Sequence, residues 1–421
     1  MRDTVYFTLP NMIFKFDKGW MYSTLLLLFS TFAIPYTASL PVYSFIVSIF
    51  FILILRNHLL TKRLLFIWLA VLIYFSLLSF IHGKLEYYRC AYYLCWLSVV
   101  YVFLRKKGIA VFYYLEKTIY FFALLSIPFY FLEFTLGNSF YSLMRVFGSQ
   151  LSANLASTEY RLAYNIIVYT TNAIQGEIPR NCGIYFEPGY HACFIVLSMV
   201  LNYFRTKKLF SKQHIYLLIP LLTTISTTGV LLYSFFILVI ALRKNVFAFL
   251  SIVLLFLVVI FFMDIPFIHD KIQIAYDQIG NYDEIFAKSA AWNSVVHPDR
   301  FVSLQLGIID LLKYPIWGRG EISSSLGVFY GGDIIPSSGL AHLMMYYGGS
   351  ILCIFTVLLI KISSILSNSY GLPYIKWFIP LFILFISITY YIDTPIFLLL
   401  YLSGLLLRKK QYENSTNDIQ P

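Results

Sequence analysis

Charged residues are scarce in this sequence, at 12% of 421 residues, about half the share of a typical water-soluble domain. The alternation of polar and apolar residues that marks an outer-membrane β-barrel is also missing. Apolar runs recur instead, and several, such as 64–81, 246–263 and 340–360, approach the roughly 20 residues needed to cross the hydrocarbon layer. Because lipid offers no partners to backbone polar groups, such runs must be helical, so the sequence predicts an all-α polytopic membrane protein.

Sequence signatures of metal, nucleotide and disulfide chemistry are absent as well. No Cys-x-x-Cys, HxxxH or HExxH pair occurs, and neither does a P-loop or a dinucleotide-binding fingerprint. We therefore expect no metal, no cofactor and no direct use of ATP or NAD. The five cysteines are interpreted as structural thiols, with a bridge through Cys182 left open; they are Cys90, Cys95, Cys182, Cys193 and Cys353.

Lys and Arg residues cluster on one side of the predicted membrane. The predicted spans lie near 20–35, 40–55, 63–81, 90–104, 118–136, 190–204, 214–227, 229–242, 245–263, 339–360, 374–391 and 394–407. With both termini in the cytoplasm, the segments on that side hold 21 of the 31 Lys and Arg residues, as the positive-inside rule requires. The net charge of +11 is therefore a topology signal, and no nucleic-acid partner is expected.

This orientation leaves two large outer segments, 137–189 and 264–338, within a single membrane domain of residues 1–421. Each contains apolar residues spaced three or four apart, as on one face of an amphipathic helix. They are Phe140, Leu143, Met144, Phe147, Leu151 and Leu155 in the first, and Phe301, Leu304, Ile308, Leu311 and Leu312 in the second. Either these helices cover the bundle, or they wall a cavity at the membrane face for a lipid-linked polar substrate.

The first of three unusual polar stretches reads RNCGIYFEPGYH over 180–191 and leads into a span. It brings Arg180, Glu187 and His191 to one membrane boundary. Ionisable groups near hydrocarbon are costly unless they are paired or open to water, so this stretch predicts a functional site. A purely structural pair between Arg180 and Glu187 is the alternative.

The other two stretches flank the second predicted amphipathic helix. Arg300 precedes this helix, and YPIWGRG over 314–320 follows it with Arg319 between two glycines. A guanidinium suits a pyrophosphate because its donors are planar, paired and permanently charged, although Arg319 alone is equally a solvated loop charge. The third stretch, SSGLAHLMMYYGG over 337–349, places His342 near the outer end of a span, where an imidazole accepts protons or simply forms an interfacial hydrogen bond.

Taken in order, these stretches resemble the O-antigen polymerase (Wzy-type) family, within the wider O-antigen ligase and polymerase superfamily. The resemblance depends on four features: RxxGxxxEPG over 180–189, ISTTG over 225–229, Arg300 with PxxGxG over 315–320, and His342 with the glycine pair 348–349. Each motif is short. Their order and their placement beside spans are more specific than any one of them.

The resemblance implies a glycosyltransferase of the GT-C type at the periplasmic face of the bacterial inner membrane. Such an enzyme joins undecaprenyl-pyrophosphate-linked oligosaccharide repeats during lipopolysaccharide biosynthesis, without a nucleotide sugar or a metal. Its partners would be these lipid-linked oligosaccharides, membrane lipids and a chain-length regulator protein. In the implied roles, Arg180 and Arg300 hold the pyrophosphate and stabilise its departure, with Arg319 as a further phosphate ligand. Glu187 or His342 orients or deprotonates the acceptor hydroxyl.

Two other functions fit parts of the pattern. An O-antigen ligase shares the expected fold and differs in its acceptor, a lipid A-core. A flippase or other transporter of lipid-linked oligosaccharides belongs to a different class, and it predicts ionisable groups inside the spans and short loops on both sides. Here the predicted spans carry almost no charge away from their ends, with Glu133 as the main exception, and the outer loops are long. This pattern argues against the transporter, whereas the sequence features barely separate the polymerase from the ligase.

Overall fold

A computed structural model describes residues 6–9, 12–15, 18–31, 60–150, 163–171, 178–241, 298, 300–320, 334–372, 376–389 and 393–407. The predicted spans near 40–55 and 245–263 lie outside the described residues, and so do Leu151 and Leu155 of the first amphipathic pattern.

The described chain is mostly helical. Its helices are α1 (Lys18–Leu28), α2 (Lys62–His82), α3 (Tyr87–Lys107), α4 (Val111–Leu136), α5 (Asn138–Phe147), α6 (Pro188–Thr206), α7 (Lys212–Thr223), α8 (Thr227–Ala241), α9 (Arg300–Lys313), α10 (Gly339–Ser369), α11 (Phe378–Thr389) and α12 (Pro395–Leu406). Short antiparallel pairs join β1 (Tyr6–Leu9) to β2 (Met12–Lys15) and β3 (Ser149–Gln150) to β4 (Tyr164–Asn165). The predicted all-α class is therefore confirmed at this coarse level for the described residues.

Three described segments are long and apolar enough to cross a membrane: Lys62–His82, Tyr87–Leu136 and Gly339–Ser369. The second consists of α3, a 3₁₀ turn at Gly108–Ala110, and α4. Helix α2 exposes a broad apolar surface, on which Phe66 is 69% and Phe80 is 86% exposed. Contiguous apolar surface of this kind is unfavourable in water and suited to lipid. These features are those of a helical membrane protein.

The described part of the chain contains a helix at each remaining predicted span, although the ends differ. Span 118–136 belongs to α4, which begins earlier at Val111. Helix α10 continues from the predicted span 339–360 to Ser369. Ends shift because an apolar run marks the hydrocarbon layer, whereas a helix continues until a cap or turn stops it. Gly137, with a φ of 50°, is such a stop after α4.

The chain divides into two compact units. The first contains residues 91–233 together with 1–68 and 406–421. In it, α4 packs against α1, α6 and α7, and α6 packs against α7. Gly19 permits the close approach of α1, since an added Cβ would lie 2.5 Å from the Tyr114 ring.

The second unit contains residues 69–90 and 234–405. Here α9 and α11 pack against α10 and against each other. Gly307 lets α9 approach α10, because an added Cβ would lie 2.8 Å from the Ala341 Cβ. On the other side, Phe355 of α10 stacks on Tyr401 of α12, with ring centroids 4.0 Å apart.

The two predicted amphipathic helices exist, but their apolar faces are not simply buried in protein. In α5, Phe140 and Met144 are buried, whereas Leu143 and Phe147 are exposed. In α9 the predicted stripe is largely exposed, at Phe301, Ile308 and Leu312, while the opposite face, with Val302 and Leu306, is buried. Periodicity identifies an apolar face, but lipid and protein are equally apolar partners for it.

Candidate functional site

Helix α10 is interrupted one-third of the way along its length, and a loop of the second unit forms hydrogen bonds with the backbone groups at the interruption. Gly348 has a φ of 68° and a ψ of −164°, values that no helical residue adopts. In an unbroken helix, residues 349 and 350 would donate to the carbonyls of 345 and 346. Here those carbonyls accept instead from the backbone N–H groups of Arg319 and Gly320, at 2.6 and 3.2 Å.

The exchange is reciprocal. The N–H groups of Gly349 and Ser350 donate to the carbonyls of Pro315 and Ile316, at 2.8 and 3.2 Å. We call residues 315–320 the Gly318 loop. Gly318, with a φ of 64°, packs backbone against backbone, since an added Cβ would lie 2.5 Å from the Gly348 nitrogen. All four backbone groups freed by the break are thus paired, as a low-dielectric environment requires.

The break orients the first turns of α10, which present a polar group of side chains. Ser338 caps this helix by accepting a hydrogen bond from the Ala341 N–H at 3.4 Å, which places His342 in the first turn. Tyr346 and Tyr347 follow one turn later. The ring of His342 stacks on that of Tyr346, with centroids 5.7 Å apart and planes at 25°.

Arg89, from the first turn of α3, lies against these aromatic side chains. Its guanidinium carbon is 3.4 Å from the centroid of the Tyr346 ring, a close cation–π stack. Its Nη1 donates to the Tyr347 hydroxyl at 2.9 Å and lies 3.5 Å from Nε2 of His342.

Two carboxylates complete the group. Asp393 Oδ2 lies 4.0 Å from His342 Nε2. Glu86 accepts a short hydrogen bond from the Tyr346 hydroxyl. Burial raises the pKa of Asp393 above its ordinary value, and the positive charge of Arg89 opposes that rise. We call this set the His342 cluster; its members are Glu86, Arg89, His342, Tyr346, Tyr347 and Asp393.

The cluster forms where four helix ends meet within the second unit. Helix α2 ends at His82, and α3 begins at Tyr87. Helix α10 begins at Gly339, and α12 begins at Pro395, a residue whose fixed φ suits the first position of a helix. Local turns and caps set where each helix begins or ends, and the fold brings three distant parts of the sequence to one end of the unit.

The predicted residues Arg300 and Arg319 also lie in the second unit. Arg300 is the first residue of α9, and both it and Arg319 are partly buried. The Arg319 backbone is fixed by its hydrogen bond to Met345. The structure thus connects Arg319, through the Gly318 loop, to the helix that carries His342.

Arg180 and Glu187 lie in the first unit. The Arg180 Nε and Nη2 atoms donate to the carbonyls of Thr224 and Ile225, at 3.3 and 3.0 Å. These carbonyls end α7, where a cation is favourable because helix C-termini carry partial negative charge. Arg180 therefore has a clear structural contact, and its predicted role in holding pyrophosphate stays a prediction.

Glu187 stands at the N-cap position of α6, directly before Pro188. Behind it, His191 is buried, with Nδ1 3.3 Å from the Asn181 carbonyl oxygen. The Asn181 side chain donates to the hydroxyls of Ser126 and Thr223, both at 2.9 Å. The 180–191 stretch is thus joined by buried hydrogen bonds to α4 and α7. A catalytic role for Glu187 stays a prediction.

Cys182, for which a bridge was left open, is buried, and no disulfide forms among the cysteines of the described residues, which are Cys90, Cys95, Cys182, Cys193 and Cys353. Burial raises the pKa of the Cys182 thiol. A thiol kept protonated in this way is a poor nucleophile, which fits the predicted structural role.

Buried carboxylates elsewhere in the first unit have defined partners. Glu133 is 1% exposed and accepts a hydrogen bond from the Tyr169 hydroxyl at 2.7 Å. Glu116, also 1% exposed, accepts from Arg205 through both carboxylate oxygens, at 3.0 and 2.8 Å, and from Asn202 at 2.9 Å. These pairs tie α4 to the 163–171 segment and to α6.

Sequence reasoning missed Glu86, Arg89 and Asp393. Their signal was present, since each is a charge at the outer end of a predicted span, in a chain with few charges. Glu86 and Arg89 lie close together at the start of α3, but no spacing connects them to His342 or to Asp393, which lie far away in the sequence. Only the fold brings them together.

Comparisons with protein-family models, with curated proteins and with solved structures found no match for this chain. The argument about function therefore depends on the site itself.

Proposed function

We propose that this chain is a glycosyltransferase of the O-antigen polymerase (Wzy-type) class in the bacterial inner membrane. It joins undecaprenyl-pyrophosphate-linked oligosaccharide repeats at the periplasmic face. The observation that carries the proposal is the His342 cluster, in which an imidazole lies beside a carboxylate and an arginine at the ends of membrane helices. Ionisable groups near hydrocarbon are costly unless they are paired or face water, and they are therefore candidates for a reaction or transport site.

The predicted topology supports the periplasmic location. The distribution of Lys and Arg along the sequence assigns the end of α2 and the starts of α3, α10 and α12 to the non-cytoplasmic side. That assignment uses only charges in the loops. Residues at these ends contact one another in the His342 cluster, and ends that meet must lie on the same side of a membrane. Both termini are then cytoplasmic.

The reaction needs a proton acceptor and a good leaving group. The acceptor hydroxyl oxygen attacks the anomeric carbon of the donor sugar, and the bond from that carbon to the pyrophosphate oxygen breaks. Undecaprenyl pyrophosphate leaves with the electron pair, and the hydroxyl proton passes to Nε2 of His342. The Asp393 carboxylate, 4.0 Å from that nitrogen, stabilises the imidazolium that forms.

Leaving-group charge is stabilised by fixed cations in place of a metal. Arg300 and Arg319 are the predicted cations of the second unit, and the Gly318 loop fixes the Arg319 backbone beside α10. Transfer uses only the energy of the donor's own bond, so it requires no nucleotide. A chain-length regulator protein in the same membrane is the proposed partner, together with the lipid-linked substrates.

The test is the length distribution of surface polysaccharide in a deletion strain complemented with variants. We expect the deletion strain and the His342→Gln strain to carry single repeats, and wild-type and Lys84→Gln genes to restore long chains. Lys84 is an exposed cation of the turn after α2, outside the His342 cluster. Normal-length polymer retained on its carrier lipid would contradict the proposal and indicate a ligase.

A transporter of lipid-linked oligosaccharides is a second candidate, because α10 is broken at Gly348. Transporters often bind substrate where a membrane helix is interrupted. In this chain the freed backbone groups are already paired with the Gly318 loop, which favours a structural break. The same deletion strain separates the two, since loss of a transporter removes surface sugar altogether.

A further inference from the structure

We propose that Arg89 binds the pyrophosphate of the lipid-linked donor through the Nε and Nη2 edge of its guanidinium. The identity of the anion depends on the proposed function. The existence of an anion site at Arg89 depends only on the geometry of the His342 cluster.

The contacts of Arg89 leave one edge of the guanidinium for a ligand. Tyr346 covers one face of the group, and Nη1 is taken up by the Tyr347 hydroxyl and His342. Among the described residues, no acceptor lies within hydrogen-bonding distance of Nε or Nη2. These two N–H groups are parallel and form the fork that binds two oxygens of a phosphate or carboxylate.

The charges around Arg89 also favour an anionic ligand. Arg89 is partly buried, and within the described part of the chain no carboxylate oxygen comes within the 4.0 Å of an ion pair. Asp393 lies beyond that limit. Glu86 is held by the Tyr346 hydroxyl. A partly buried permanent cation without an ion-pair partner is costly, and an anionic ligand removes that cost.

The stack on Tyr346 explains why an arginine occupies this position. The aromatic face fixes the plane of the guanidinium, so the fork is oriented before the ligand arrives. Nη1 lies 3.5 Å from Nε2 of His342. A pyrophosphate on the Nε and Nη2 edge would therefore share this guanidinium with Nε2 of His342, and Arg89 would stabilise the negative charge that the leaving oxygen gains.

The experiment measures binding of undecaprenyl pyrophosphate to the purified full-length protein in nanodiscs, for wild type and three variants. We expect Arg89→Gln to weaken binding by about tenfold or more, since a charge-assisted bidentate contact is lost. Arg89→Lys keeps the positive charge but cannot form the two parallel hydrogen bonds, so its affinity should lie between those of wild type and Arg89→Gln. Lys84→Gln removes an exposed cation from the adjoining turn and should bind as wild type does.

Inorganic pyrophosphate and phosphatidylglycerol, used as competitors, separate the possible sources of the anion. Displacement by inorganic pyrophosphate in wild type, lost in Arg89→Gln, supports a pyrophosphate site. Equal displacement by phosphatidylglycerol would overturn it in favour of general anionic-lipid binding. If Arg89→Gln folds, as judged by thermal unfolding, wild-type affinity in this variant would contradict the proposed site. If Arg89→Gln fails to fold, Arg89→Lys is used in its place, and wild-type affinity of Arg89→Lys for both pyrophosphates would contradict bidentate binding by the guanidinium.

This outcome is independent of the proposed function. Binding that depends on Arg89 in a protein whose deletion leaves chain length unchanged would sink the polymerase and keep the anion site. If Arg89→Gln binds as wild type does and His342→Gln loses chain elongation, the anion site would be rejected and the polymerase function retained.

Discussion

At the residue scale, His342 lies between two groups that make opposite demands on it. Arg89 can only donate a hydrogen bond to Nε2, whereas an ionised Asp393 can only accept one. Without a proton on Nε2, the imidazole faces the arginine and is ready to accept one. With a proton there, the positive charge of the imidazolium lies beside the Asp393 carboxylate. The cluster thus provides a partner for each state of a proton acceptor.

We expect Asp393→Asn to slow elongation by about tenfold or more, because the imidazolium loses its counter-charge. Burial raises the pKa of Asp393, so its carboxylate becomes protonated at a higher pH than that of a free aspartate. Wild-type elongation should therefore fall as the pH is lowered toward that raised pKa. Initial rates of polymer formation against pH check this prediction. A fall of the same shape and position in Asp393→Asn would show that another group causes it.

Glu116 and Arg205 illustrate a buried charge with a structural role. Glu116→Ala leaves Arg205 and Asn202 without their shared acceptor, and we expect a loss of about 2 kcal/mol or more in stability. Arg205 is 29% exposed and retains some solvent, so the loss should be smaller than for a fully buried pair. Thermal unfolding in detergent measures it, with the exposed Lys212→Gln as control. Equal melting temperatures would refute the role.

At the scale of elements, the Gly318 loop and the break in α10 form one unit. Gly348→Ala meets two penalties: a positive φ costs about 1–2 kcal/mol, and the added Cβ meets the Gly318 backbone, with overpacking typically costing about 1–3 kcal/mol more. Gly83 is a matched control, since its φ is 65° but an added Cβ meets nothing within 4 Å.

We therefore expect Gly348→Ala to lower the melting temperature clearly more than Gly83→Ala does, and to abolish elongation as the first turns of α10 reorient. Because both glycines have a positive φ, a larger effect at Gly348 reflects the close approach together with its ψ of −164°, which is essentially confined to glycine at this φ. Equal effects of the two substitutions would mean that the loop and the helix are not packed as described.

Some features of these helices could be predicted from the sequence, and others could not. Helix α9 was predicted from the spacing of Phe301, Leu304 and Ile308, because local periodicity determines local structure. The partner of that face was not predictable, and the face turned out to be exposed. The backbone exchange at Gly348 was also invisible, since it joins segments about 30 residues apart in the chain through hydrogen bonds that any residues can make.

The candidate site divides in the same way. His342 was predicted from its position near the outer end of a span together with the two other polar stretches and the family resemblance. Arg89 and Asp393 gained meaning only beside it, since each alone is an ordinary charge at a membrane boundary. Burial and contact are long-range properties, whereas the patterns of a single sequence are local.

At the scale of the whole molecule, the account requires the His342 cluster to face away from the cytoplasm. In a cysteine-free background, we expect Lys84→Cys to react with a membrane-impermeant maleimide added to intact spheroplasts. Lys208→Cys, after α6, should react only once the membrane is opened. Both positions are exposed, so access alone decides the labelling. The opposite labelling pattern would invert the topology and remove the periplasmic reaction.

The most direct test of the central claim is transfer by the purified protein. Lipid-linked repeats extracted from the deletion strain are added to vesicles containing wild-type, Lys84→Gln or His342→Gln protein, and the products are separated by size. The account predicts a ladder of longer oligosaccharides with the first two and only single repeats with His342→Gln. A wild-type ladder from His342→Gln, or none from the wild-type protein, would contradict it.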